Sequence, residues 1–152
     1  IISWGKRVPR HRERKCLPFR AQDMFDLVAD VERYPEFLPW CQGARIITKS
    51  DREMMADLVI GFRVFRERFT SRVHLDHPGH IRVSYVRGPL KYLHNDWRFS
   101  PKPDGGCIVD FHVDFEFKNR VFESLVGNLF SEATRRMVNA FEERAGDLYE
   151  IA

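Results

Sequence analysis

The spacing of apolar positions along the chain changes period twice, and each change marks a change of element. Residues 12–17 are mostly polar and stop at Pro18, which predicts a short first strand. In "RAQDMFDLVADVERY" the positions Ala21, Met24, Phe25, Leu27 and Val28 recur at helical spacing, so an amphipathic helix of about three turns is expected. The next stretch, "YPEFLPWC" at 34–41, carries Pro35 and Pro39, each of which removes an N–H donor and restricts the residue before it. It reads as a loop or a broken helical turn that holds Tyr34, Phe37, Leu38 and Trp40.

From Cys41 onward the period is two. "ARIITKS" and "EMMADLVIGF" flank "SDR", and "RVHLDHPGHIRVSYV" places Pro78-Gly79 between two alternating runs, so both read as hairpins. "YLHNDWRFSP" follows the turn "RGP". "CIVDFHVDFEF" follows "KPDGG". In that last strand Cys107, Val109, Phe111, Val113, Phe115 and Phe117 alternate with Asp110, His112, Asp114 and Glu116, giving one dry face and one wet face.

The helical period then returns. With Asn119 as the expected N-cap, a stripe runs through Phe122, Leu125, Val126, Leu129, Phe130, Ala133, Met137, Val138, Phe141, Ala145 and Leu148. A single helix of roughly 30 residues would span about 45 Å, long enough to cover an antiparallel sheet. A first strand, a helix, a meander of about six strands and a long final helix make an α+β fold, with that helix across one face of a curved sheet. The space beneath the helix is then either filled or hollow, and a hollow would be lined by the Phe-rich face.

Composition sharpens this picture. A chain of 152 residues with 43% apolar and 13% aromatic content, including 13 Phe, makes one domain with a substantial core. No apolar run approaches the ~18 residues of a membrane span. Cys16, Cys41 and Cys107 are odd in number and widely spaced, which fits a reducing compartment and neither a disulfide framework nor a cysteine zinc site. Residues 1–20 hold seven Lys/Arg against one acid, whereas the remaining residues carry a net −3. The basicity therefore belongs to an N-terminal arm, residues 1–11, expected to be disordered or flanking. That arm reads as a solvated leader or as a contact for anionic lipid or nucleic acid. It lacks the apolar core of a secretory signal, and the start at Ile1 leaves room for a longer or processed N-terminus.

Candidate chemistry is sparse. His74, His77 and His80 suggest metal ligation, but alternation gives His74 the opposite facing to His77, so no metal site is expected. No Gly-x-Ser-x-Gly elbow or phosphate-cradling glycine loop occurs. In "VFRERFTSRVHL", alternation places Glu67 and Ser71 on the apolar face with Phe65, Phe69 and Val73, opposite Arg66, Arg68, Thr70 and Arg72. A carboxylate there either meets a ligand's polar group, acts as an acid/base, pairs internally or sits at a wet strand end.

The segments "YPEFLPWC", "ADLVIGF", "ERFTSRV", "WRFSP", "VDFEF" and "MVNAFEERAGDLY" occur in register over residues 12–152. Through them the chain resembles the coenzyme Q-binding proteins of the START-like, helix-grip superfamily, and also the related polyketide cyclase/dehydrase and ribosome-association toxin groups. The resemblance implies a helix-grip fold: a curved antiparallel sheet of about six or seven strands wrapped on the C-terminal helix, with a hydrophobic cavity. It implies a non-enzymatic carrier that uses no cofactor, binds ubiquinone or a similar isoprenoid lipid, and serves respiratory electron transport and quinone biosynthesis. Phe37, Leu38, Pro39 and Trp40 would form a lid. Leu58, Ile60, Phe62, Phe65, Glu67 and Phe69 would line the sheet side, and Leu125, Leu129 and Met137 the helix side. The implied partners are the lipid, a membrane surface and quinone-handling enzymes; the implied location is the bacterial cytoplasm beside the inner membrane, or the mitochondrial matrix. Two alternatives stand beside it: binding to the large ribosomal subunit, and a cyclase or aromatase activity that uses Glu67 or a histidine.

Overall fold

The computed structural model describes residues 10–62, 65–121, 123 and 130–152, with the backbone alone for Phe62, Phe65, Phe130 and Ser131. Strand β1 (Arg10–Leu17) leads into helix α1 (Ala21–Ala29) and a 3-10 helix (Val31–Glu36). Six strands follow in hairpin succession: β2 (Cys41–Lys49), β3 (Glu53–Phe62), β4 (Phe65–Asp76), β5 (His80–Arg87), β6 (Leu90–Pro101) and β7 (Cys107–Phe117). Helix α2 (Phe130–Leu148) ends the fold. Arg10 and His11, expected in the arm, instead pair with Asp114 and Val113 as the start of β1.

All seven strands form one antiparallel sheet in the order β1-β7-β6-β5-β4-β3-β2. Each neighbour in sequence is a neighbour in space except β1, which closes onto β7 from the far end of the chain. The alternation in β7 is realised residue by residue: Cys107, Val109, Phe111, Val113, Phe115 and Phe117 are all buried. That face meets α1 and α2. Met24, Phe25, Leu27 and Val28 fill the space beneath β6 and β7, where Phe25 meets Phe99 edge-on at 5.8 Å. Trp97 packs against Phe111 at 4.5 Å and Phe141 at 5.1 Å. Lys15 ties β1 to α2 through Glu142 (2.6 Å) and Asn139 (2.8 Å).

The expected three-turn helix is interrupted. At Asp30 the backbone leaves helical geometry (φ −84°, ψ 68°), and the chain re-enters as a 3-10 helix that contains Pro35. The ring of Pro35 cannot donate to an α-helical ladder, and the tighter winding accommodates it. Asn119 acts as the expected cap, its Oδ1 accepting the Val121 N–H at 2.8 Å. Of the stripe that follows, Phe122, Leu125, Val126 and Leu129 lie outside the described residues; Val138, Phe141 and Ala145 are buried.

Candidate functional site: an apolar cavity between sheet and helix

The concave face and α2 do not close completely, and a cavity of about 360 Å³ lies between them. Period-two alternation sends Ala56, Leu58 and Ile60 of β3 into it, then Phe69, Ser71 and Val73 of β4, and Ile81 and Val83 of β5. Strands β6 and β7 contribute Leu93, Asn95 and Trp97, then Phe111, Val113 and Phe115. Ala133, Thr134, Met137 and Phe141 cover it from α2. Val28, Val31, Tyr34, Leu38, Trp40 and Cys41 close the side. The lining is almost wholly carbon. The volume falls in the ~300–1,000 Å³ range of small-molecule sites.

The closing segment is held at defined points. The Tyr34 hydroxyl donates to the Val28 carbonyl, and its ring meets Phe141 at 5.3 Å and Phe37 at 6.1 Å. Burial, with lesser contributions from Cys41 and Asp30, pushes the Tyr34 phenol far above its ordinary range. The Arg144 guanidinium lies over the Phe37 ring at 5.3 Å and donates to Glu36 at 2.5 Å. Beyond Phe37 the chain is tied twice more: Cys41 N–H donates to the Leu38 carbonyl (3.2 Å), and Gly61 N–H to the Trp40 carbonyl (2.9 Å). Leu38 and Trp40 thus sit between two fixed points, half-buried, with Pro39 exposed between them.

The expected site residues divide accordingly. Leu38, Trp40, Leu58, Ile60, Phe69 and Met137 line the cavity. Phe37 does not; it serves as the clasp between Phe141 and Arg144, because the 3-10 helix turns it toward α2. Pro39 and Glu67 are also absent from the lining. Glu67 pairs in register with the cavity-lining Ile60 near the start of β4, at the rim of the hollow, where its charge acts on Tyr85. Phe62 and Phe65 face each other across the β3–β4 turn by backbone register. Leu125 and Leu129 fall outside the described residues. Val83, Asn95, Trp97 and Phe115 line the cavity without having been singled out for a site; each was legible from strand alternation, since Leu93, Asn95 and Trp97 share one parity.

Polar chemistry elsewhere is structural. Asp57, on the outer face of β3, accepts from Thr70 at 2.5 Å and from Arg45 at 3.3 Å. Chiefly the Thr70 hydrogen bond, assisted by Arg45, holds its carboxyl below the usual range against the opposing effect of burial. His74 lies by Glu53, His77 by Asp26 and His80 by Asp96, so the three separate. Among the described residues no group of three or more His, Cys, Asp or Glu could hold a metal ion, and no helix is long and apolar enough to cross a membrane.

A curved seven-stranded antiparallel sheet gripping a C-terminal helix over an apolar cavity defines the START-like, helix-grip class. The chain belongs to the family described as polyketide cyclase / dehydrase and lipid transport, whose model matches residues 17–142. It is similar to the ribosome association toxin RatA of Escherichia coli strain K12, 36% identical over 142 residues that cover 93% of this chain and 90% of that protein. It is similar also to the mitochondrial coenzyme Q-binding protein COQ10 homolog B of Xenopus laevis, 35% identical over 150 residues, covering 95% of this chain and 61% of that one. Among solved structures, the 18 kDa protein CC1736 of Caulobacter crescentus superposes with a TM-score of 0.75 at 35% identity, covering 92% of this chain and 97% of that one.

Proposed function

We propose that this protein is a non-catalytic carrier that takes ubiquinone or a similar polyprenyl lipid into the cavity and delivers it at a membrane. The observation that carries the reading is the hollow itself. Leu58, Ile60, Phe69, Val83, Leu93 and Met137 face inward yet stay only half-buried, because no side chain among the described residues fills the space opposite them. Apolar area removed from water is worth ~25 cal/mol per Å², so a head group and the first isoprene units gain affinity from these walls. The volume does not accommodate a long polyprenyl tail, which would leave through the mouth. The name of the Xenopus relative supports the choice of quinone.

The cavity runs toward the strand ends where Ile60, Leu90 and Phe117 lie. Around that end Arg66, Arg68, Arg87, Lys91, Lys118 and Arg120 are exposed, which suits an approach to anionic headgroups. Leu38 and Trp40 are the residues to swing aside or enter the lipid. Supply of quinone to respiratory and biosynthetic enzymes follows as the role, at the cytoplasmic side of a bacterial inner membrane or in the mitochondrial matrix. No carboxylate, His or Lys lines the cavity among the described residues, which supports a carrier over a cyclase.

Mass spectrometry of an organic extract of protein purified from a quinone-making host tests this. Extractable quinone or another lipid is expected, reduced in Leu38→Lys without loss of fold. Lipid-free protein that takes up none when offered it overturns the reading.

A second reading is ribosome association, favoured by the name of the Escherichia coli relative and by the exposed Arg66 and Arg68 on the outer sheet face, beside the partly covered Arg72. It predicts salt-sensitive co-sedimentation with large ribosomal subunits.

A further inference from the structure

We infer that the Ser71 hydroxyl is the hydrogen-bonding anchor of the cavity, and that the ligand is a neutral, largely hydrocarbon molecule presenting a carbonyl or ether oxygen to it. The inference rests on the carrier reading and specifies the ligand's chemistry and position. Every other polar side chain in the described lining already has a partner. The Tyr34 hydroxyl is used on the Val28 carbonyl, and the Cys41 thiol donates to the Gly43 carbonyl at 3.4 Å. The Asn95 amide is engaged at both ends: Nδ2 donates to the His112 carbonyl at 2.9 Å, and Oδ1 accepts from Trp97 Nε1 at 3.2 Å. Trp40 and Thr134 also have partners. Ser71 is 7% exposed, lines the cavity and has no hydrogen-bond partner among the described residues.

Its position suits a ring. Ser71 pairs with Ala56 across β3–β4, so two small side chains lie side by side on the cavity wall, between the larger Leu58 and Phe69 on one side and Val73 on the other. A flat head group fits over that shallow place with its oxygen at the hydroxyl and its tail directed along Leu58 and Ile60. The described lining offers no Lys, Arg or His as counter-charge to a carboxylate or phosphate buried there, and no Asp or Glu to a cation. A fatty acid or phospholipid head is therefore a poor occupant. Glu67, at the rim beside Ile60, is not part of that lining.

Calorimetric titration with three probes tests this: a decyl-substituted benzoquinone, decylbenzene and palmitate. Wild type is expected to bind the first tightest and palmitate weakest. Ser71→Ala should weaken the quinone about fivefold, as for one net hydrogen bond, and leave decylbenzene unchanged; Ser71→Thr should restore it. The carbonyl stretch of bound quinone should lie at lower wavenumber in wild type than in Ser71→Ala. Equal quinone affinity and an equal stretch in the two proteins overturn the anchor while leaving the carrier intact, and palmitate binding as tightly as the quinone overturns the neutral-ligand assignment. Failure of wild type to bind any probe overturns the carrier reading and the anchor with it. Matching thermal midpoints of wild type and Ser71→Ala confirm that the comparison is between folded proteins.

Discussion

The space beneath the sheet has two halves built from the same kinds of residue but finished differently. Under the Phe99 end of β6 and the Val109 end of β7, near α1 and the end of α2, Phe25, Phe99, Val109 and Ala145 are each at most 4% exposed and belong to one packed cluster. Under β3 to β5 the inward residues Leu58, Phe69 and Val83 are only half-buried, because α2 covers the hollow without filling it. The packed half supplies the stability of the domain. The hollow half keeps apolar wall area in reserve for a guest. Its strands are secured from outside, where Thr70 and Asp57 join β4 to β3 by a buried, charge-assisted hydrogen bond.

The largest expected contrast is between truncations. Phe25→Ala should cost about 3–5 kcal/mol, whereas Leu58→Ala should cost less than about 2 kcal/mol, because its side chain already lacks packing on one side. Urea unfolding of both variants measures this, and equal losses would break the distinction. Next come enlargements. Ala145→Leu, into a residue with no exposed surface, should destabilise by about 1–3 kcal/mol through overpacking. Ala56→Leu should leave the thermal midpoint almost unchanged while lowering lipid uptake.

Thr70→Val comes third, at about 1–2 kcal/mol for an acceptor left short of its donor. Because the Asp57 carboxyl is held low in the fold, its contribution is complete above the ordinary carboxylate range near pH ~4 and is lost as pH falls through its lower native value. Wild type should therefore lose stability more steeply than Asp57→Asn on acidification below about pH 4, as followed by chemical denaturation across that range. The smallest effect is chemical. Burial pushes the Cys107 thiol up to about 11 and raises that of Cys41 as well. Cys107, in the packed half, should resist alkylation until the protein unfolds; Cys41, on the cavity wall, should react slowly in the empty protein and be protected by a bound lipid.

Much of this division was legible in the sequence. The alternation of β7 and the Asn119 cap followed from local pattern, and the parity that put Ser71 on the apolar face also holds for Asn95 and Trp97. What sequence could not supply was depth along a strand: Glu67 shares the parity of Ser71, yet it stands at the rim beside Ile60 and is not part of the lining. The Thr70–Asp57 bond was equally hidden, since it joins residues 13 apart through a strand register. Phe37 was expected at the lid, but the break at Asp30 and the 3-10 turn around Pro35 aim its ring at Phe141 and Arg144.

Entry of an apolar guest into the hollow can be observed directly. Trp40 and Trp97 both line it, so titration with a decyl-substituted benzoquinone can be followed by quenching of tryptophan fluorescence. Saturable quenching at one quinone per chain is expected, abolished in a folded Ala56→Phe variant whose ring occupies the cavity. Quenching that never saturates, or that is the same in Ala56→Phe, would contradict it.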